Sequence, residues 1–196
     1  MQNKIVDLKY KIYNLMSDEC CNHLINFFEE NKNLTKQESS YKSKEKTTVN
    51  DNYSSLNLSF YAQTNEKFRE PIRMIGNHLS RIILNYERYM RETICETYDS
   101  YLINYTDNIR ILKYETGQMI KDHTDVGKNF RASCTINLND DYEGGDFRFF
   151  NGKVKEKLKK GDSIIFPVEP IWIHGTEPIT KGVRYSINCF LGEQPK

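Results

Sequence analysis

Residues 163–174, SIIFPVEPIWIH, and residues 183–191, VRYSINCFL, decide the fold. In the second stretch Arg184, Ser186 and Asn188 alternate with Val183, Tyr185, Ile187 and Cys189. That period of two sends successive side chains to opposite faces of a strand. The first stretch reads as two short apolar strands, 163–167 and 171–174, ending on His174 just before Gly175. Working back along the chain, further β-type runs fall at 99–105, 109–114, 118–123, 132–138, 146–150 and 153–158. Gly117, Gly127, Gly144-Gly145, Gly152, Gly161 and Gly182 punctuate them.

Upstream the periodicity changes. Residues 18–31 read as an amphipathic helix with Ser17 as N-cap and Leu24, Phe27 and Phe28 at helical spacing. Residues 66–92 carry a longer stripe, Ile72, Ile75, Leu79, Ile82, Ile83 and Tyr86, with Pro71 near the helix start. Between them, residues 32–57 are rich in Ser, Thr, Lys and Asn and read as a mobile loop with short strands near its ends, a candidate lid over substrate. Two helices followed by many short strands predict an α+β, mainly β chain: a double-stranded β-helix (jelly roll) with N-terminal helices packed on one sheet. One domain is expected over 1–196, with 1–97 as helical support carrying loop 32–57, and 98–192 as the jelly-roll core.

Composition narrows the function classes. With 28 basic and 27 acidic side chains the net charge is +1, so nothing draws the chain globally to nucleic acid or acidic membranes. No apolar run approaches the roughly 18–20 residues that cross a bilayer, and the N-terminus has no secretory h-region. Five cysteines without CxxC spacing argue against a disulfide framework. A reducing intracellular, cytoplasmic setting is expected. The run Lys153–Lys160, with five lysines, reads as an exposed strand whose charges discourage edge pairing.

The chemistry lies in a spaced set of polar residues. His123-Thr124-Asp125 is followed 49 positions later by His174, and Arg184 comes ten positions after that. On a strand His123 and Asp125 project together. Two imidazoles and a carboxylate make the facial triad that holds non-haem Fe(II) with coordination positions open. A guanidinium beyond the second histidine is a planar fork suited to the far carboxylate of a 2-oxo acid, and Ser186, on the same strand face, can add a hydrogen bond. Arg148, between Phe147 and Phe149, is expected to turn away from the core into the mouth and meet substrate. His23 and His78 have no partner at metal spacing and read as packing residues.

These residues carry a family resemblance. Tyr114-Glu-Thr-Gly117, His123-Thr-Asp125, Gly144-Gly145-Asp146, Gly161-Asp162, Phe166-Pro167, His174 and Gly182-Val-Arg184-Tyr-Ser186 resemble the 2-oxoglutarate/Fe(II)-dependent dioxygenase superfamily, closest to its prolyl 4-hydroxylase-like branch with the lysyl and PKHD-type hydroxylases. The resemblance covers residues 99–192. It implies iron ligands His123, Asp125 and His174, a 2-oxoglutarate anchor at Arg184 where many prolyl 4-hydroxylases have lysine, and a pocket wall at Tyr114. Three positions before the first ligand, where many prolyl hydroxylases carry an aromatic residue, this chain has Ile120.

The expected activity is hydroxylation of an amino-acid side chain, prolyl first, in a peptide or protein, with succinate and CO2 released. Fe(II), 2-oxoglutarate and O2 would be required, and ascorbate is the expected reductant. Alternatives are the same chemistry on lysyl residues, a small molecule or a nucleobase, and a catalytically silent metal-bound interaction module. A monomer or weak homodimer is expected, acting on a peptide or protein partner without nucleic acid or membrane.

Overall fold

The computed structural model describes residues 5–40, 51–98 and 103–194. In chain order its elements are β1 (Tyr10–Ile12), α1 (Asp18–Glu30), β2 (Lys36–Glu38), β3 (Tyr53–Asn57), α2 (Leu58–Tyr61), α3 (Arg69–Thr93), β4 (Tyr105–Tyr114) and β5 (Phe130–Asn137). They continue with β6 (Glu143–Gly144), β7 (Phe147–Phe149), β8 (Val154–Glu156), β9 (Ser163–Pro167), β10 (His174–Thr176), β11 (Ile179–Lys181) and β12 (Arg184–Gly192). Seven strands form one antiparallel sheet in the order β1-β9-β5-β12-β4-β3-β2. A smaller sheet runs β10-β7-β8, and β11 pairs β6. The two sheets make the double-stranded β-helix that the sequence predicts.

Alternation divides the large sheet's faces. Ile109 and Ile111 of β4, Cys134 and Ile136 of β5, and Ile187 and Cys189 of β12 pack with Leu24 and Phe28 of α1 and Ile75, Leu79 and Ile82 of α3 in one core cluster. Burying each such side chain contributes about 1.5–3 kcal/mol. Ser17 caps α1, its hydroxyl accepting from Cys20 N at 3.3 Å. Pro71 is the third residue of α3, where the missing N–H costs no helical bond. All five cysteines are free thiols. No helix of the described residues is long and apolar enough to cross a membrane.

Two expected strands need correction. Segment 118–123 is not a strand: it touches its neighbours through two isolated bridges, Met119 to Asp51 and His123 to His174. Its polar run Lys121-Asp122-His123 gives it no apolar face to bury, so the ladder stops. Next, the expected strand 171–174 is reduced to its last residue, His174, which opens β10; the short strands expected near the ends of 32–57 are present as β2 and β3, which extend the large sheet beyond β4, and residues 41–50 and 99–102 lie outside the described residues. Last, β1, α2 and β11 are elements of three or four residues that the sequence pattern does not announce. The lysine-rich run does supply an edge strand, β8.

Candidate active site

Between the sheets lies a cavity of about 720 Å³. His123, Asp125, His174, Tyr114, Arg184 and Ser186 all line it, as does Ile120, which occupies the aromatic position noted above. Tyr114, Arg184 and Ser186 come from the large sheet. His174 comes from the small one, and His123 is joined to it by a reciprocal pair of backbone hydrogen bonds, N to O at 2.9 Å each way. Thr176 adds two more ties, its N–H donating to Ile120 O at 2.9 Å and its hydroxyl accepting from Ile120 N at 3.1 Å.

The triad's hydrogen bonds define its chemistry. Nδ1 of His123 contacts Lys121 O at 2.8 Å, and Nδ1 of His174 contacts Trp172 O at 2.9 Å. A carbonyl only accepts, so both Nδ1 atoms carry a proton and both Nε2 atoms point elsewhere. They point at Asp125: His123 Nε2 is 3.3 Å from Oδ1 and His174 Nε2 is 3.2 Å from Oδ2. Asp125 Oδ2 is buried and lacks a well-formed hydrogen bond despite that proximity. Burial by itself raises the Asp125 carboxyl, but the two facing imidazoles outweigh it and hold the group far below the usual carboxylate range. Burial lowers His123, yet Asp125 and the Lys121 carbonyl pull it above its ordinary value. Two ring nitrogens and a carboxylate that converge on one point are the donor set of a divalent cation, which takes the place of any proton between them, and they fit Fe(II). The three ligand atoms lie within 4.8 Å of one another, and among the described residues no other His, Cys, Asp or Glu cluster does so.

Arg184 is only 2 % exposed, yet among the described residues it forms no ion pair. Its Nε donates to Asn137 Oδ1 at 3.0 Å, and its guanidinium lies 5.4 Å from the Tyr114 ring centroid. Asn137 is fixed in turn by donating to Asn139 O, Leu158 O and Tyr142 OH. A buried cation held by neutral groups and facing a cavity is matched to an incoming anion. Burial pushes the Tyr114 hydroxyl up to about 12, against the pull of Arg184, so Tyr114 stays a neutral donor. Gly144 and Gly145, at φ +78° and +68°, keep this wall tight. A Cβ on Gly145 would sit 2.5 Å from Ile179 Cδ1, and one on Gly144 would sit 2.3 Å from Pro178 O.

Arg148 lies elsewhere. It points out of the sandwich, where Nε donates to Asp122 Oδ1 at 2.8 Å and Nη1 is 3.7 Å from Glu177 Oε2. Alternation does turn it away from Phe147 and Phe149, but mouth and core share the interior, so the opposite face is the outer surface. His23 pairs with Glu70 at the surface, and His78 sits half-buried on α3; neither approaches the cavity. Trp172 is packing, 1 % exposed against Phe149, Phe150 and Phe166. Sequence reasoning missed Asn137 as the group that aims Arg184, and Phe147 as the ring stacked on His174, 5.6 Å away with 9° between planes. The only available signal was strand alternation, which marks a face but not a partner.

Residues 109–192 match the family model described as 2OG-Fe(II) oxygenase superfamily. No curated protein sequence matches. Among solved structures the chain is similar to the viral collagen prolyl hydroxylase of Paramecium Bursaria Chlorella virus-1 in its 2OG complex, with TM-score 0.64 and 20% identity over 95% of this chain and 97% of that one. It is also similar to a Trichoplax adhaerens prolyl hydroxylase bound to a hypoxia inducible factor peptide fragment, with TM-score 0.69 and 13% identity over 95% and 84% of the two chains. A Pseudomonas putida prolyl-4-hydroxylase aligns with TM-score 0.61 and 10% identity over 96% and 94%. At these identities the likeness speaks for the fold.

Proposed function

We propose that this chain is a 2OG-Fe(II) oxygenase, as its match over residues 109–192 supports, and that it hydroxylates an amino-acid side chain, prolyl first, in a peptide or protein and releases succinate and CO2. One observation carries the reading: a buried guanidinium with no counter-ion among the described residues, Arg184, shares one cavity with the converging ligand atoms of His123, Asp125 and His174. In this reading the three side chains hold Fe(II), and Arg184 receives the far carboxylate of 2-oxoglutarate, with Tyr114 and Ser186 beside it. Iron and the 2-oxo acid together supply, with O2, the oxidising chemistry that inserts an oxygen atom into a substrate C–H bond.

The chain's own contribution is positioning and exclusion of water. The Lys121 and Trp172 carbonyls hold both Nδ1–H groups, so each ring already presents Nε2 toward Asp125 and need not turn before binding the cation. Phe147 holds the His174 ring flat against the small sheet. Asn137 removes the rotational freedom of Arg184, which therefore meets its carboxylate without paying side-chain entropy. Leu112 and Tyr114, both buried, close that end against solvent. A peptide acceptor is favoured because the lining residues of β12 become more exposed from Arg184 and Ser186 toward Asn188 and Phe190. The Trichoplax protein, whose fold this chain shares, is bound to a peptide fragment.

The test is turnover. With Fe(II), ascorbate and O2 the protein should form succinate from 2-oxoglutarate, and His123→Ala should abolish it. Equal succinate from both proteins would overturn the assignment.

A further inference from the structure

The cavity has two ends. On the lining face of β12, Arg184 and Ser186 are each 2 % exposed, whereas Asn188 and Phe190 are half-buried. Six residues of strand separate Arg184 from Phe190, about 20 Å. The trough therefore runs from a closed end at the guanidinium to an open end at the phenyl ring.

Among the described residues a single charged pair faces the open end. Arg110 Nη1 donates to Glu38 Oε2 at 2.8 Å, and Nη2 donates to Asn188 Oδ1 at 2.5 Å. The same guanidinium lies 5.6 Å from the Phe190 ring centroid, and Phe190 stacks on Phe130 at 4.6 Å and 15°. All five side chains line the cavity that holds the triad. The backbone supports the arrangement: Asn108 adopts φ +51°, and the register of β4 against β12 shifts between Asn188 and Phe190. Such a bulge re-aims the side chains beside it. Nε of Arg110 is buried without an acceptor, so the pair is not a saturated structural bridge.

Charge accounting gives this lobe its meaning. Among the described residues the cavity's two guanidiniums, Arg184 and Arg110, are matched by two carboxylates, Asp125 and Glu38. A dication with a dianionic cosubstrate leaves that balance unchanged. An ionised acceptor side chain would enter a half-desolvated lobe in which every charge already has its partner, and would meet one like charge whichever sign it carried.

Building on the reading proposed above, we infer that Arg110 and Glu38 are specificity-determining residues. By neutralising each other at the open end, they select an acceptor peptide that is uncharged around the reacting residue. The reacting side chain packs toward the Phe190–Phe130 stack, and peptide amide groups meet Asn188 and Arg110.

The experiment uses short proline-containing peptides with Glu, Gln or Lys on both sides of the proline, assayed for peptide hydroxylation and for succinate. Wild type should prefer the Gln peptide. Glu38→Gln, which leaves Arg110 unmatched, should shift the kcat/KM ratio toward the Glu peptide by about tenfold or more. Arg110→Gln should shift it toward the Lys peptide, and both shifts should shrink as salt is raised. The exchanged pair Glu38→Arg with Arg110→Glu should restore the preference for Gln, and it also covers a single variant that fails to fold. A pair that only braces β2 against β4 would lower all three rates together. That outcome overturns the inference, as does succinate production with no peptide hydroxylated. Absence of succinate from wild type overturns the proposed function instead.

Discussion

Two regions flank the large sheet, and different forces hold them. On its outer face two amphipathic helices set Leu24 of α1 and Ile75, Leu79 and Ile82 of α3 against Ile111, Ile136 and Ile187, an aliphatic layer without any chemistry. On its inner face Phe147, Phe149, Phe166 and Trp172 fill one half of the space between the sheets, and the other half is the cavity. His174 stands on the boundary: its ring centroid is 4.7 Å from that of Phe166 and 5.6 Å from that of Phe147. Packing on the helix side therefore sets stability alone. Packing on the inner side sets stability and the metal centre together. The proposed anchor Arg184 belongs to the large sheet, while His174 belongs to the small one and His123 is bridged to it, so on this reading the two binding events are separable.

The largest expected effect tests that separation. Arg184→Met should weaken 2-oxoglutarate binding by about 2–5 kcal/mol, the loss on removing one partner of a buried charged pair. Co(II) binding to the triad, read from its visible absorption, should persist. Joint loss of both would break the division between sheets. Next comes packing. Phe149→Ala should destabilise the fold by about 3–5 kcal/mol and Leu79→Ala by about 2–5 kcal/mol, measured by urea unfolding. Only the Phe149 variant should also bind Co(II) more weakly under conditions where both remain folded.

The same division explains what the sequence discloses. Strands β5, β9 and β12 are legible because both faces are occupied, which forces alternation or continuous apolar runs. Helices α1 and α3 are legible because one stripe of each meets the sheet. The edge strands β1 and β2 have no such mark: Tyr10–Ile12 is ordered by pairing with β9 and Lys36–Glu38 by pairing with β3. At the site, His123, Asp125, His174 and Arg184 stand out because their chemistry is rare at that spacing. Asn137 and Arg110 do not, because their roles come from register. Asn137 lies opposite Ser186, one lining position from Arg184, and Arg110 lies opposite Asn188.

Arg148 gives a smaller effect that sharpens the comparison. In register it lies opposite Gly175, and a Cβ on Gly175 would come 2.8 Å from Asp122 Oδ1 and 2.7 Å from Ile120 O. The bare glycine lets Arg148 reach over β10 to Asp122, the residue before His123, while its Nη1 approaches Glu177 beyond His174. One side chain thus ties together the two segments that carry the imidazoles. Arg148→Ala should weaken Co(II) binding by about 10–100-fold with little change in the urea midpoint. Lys181→Ala, which removes an exposed pair with Glu143, should change neither.

The smallest effect belongs to the helix side. Glu29 of α1 accepts from Tyr185 OH at 2.6 Å and from Lys113 Nζ at 2.9 Å. Burial raises its carboxyl, but those two donors and the Lys113 charge outweigh it, so the group sits below its ordinary 4.5. A carboxyl held lower in the folded chain than in the unfolded one adds stability that is present above the unfolded value and is lost as pH falls through the folded one. The contribution should therefore fade below about pH 4.5, and because the side chain is 38% exposed it should stay under about 1 kcal/mol. Glu29→Gln should flatten the urea midpoint's dependence on pH in that acidic range while Co(II) binding at neutral pH stays as in wild type. A change in Co(II) binding would show that the aliphatic face is coupled to the metal centre after all, through Tyr185 and the strand it shares with Arg184.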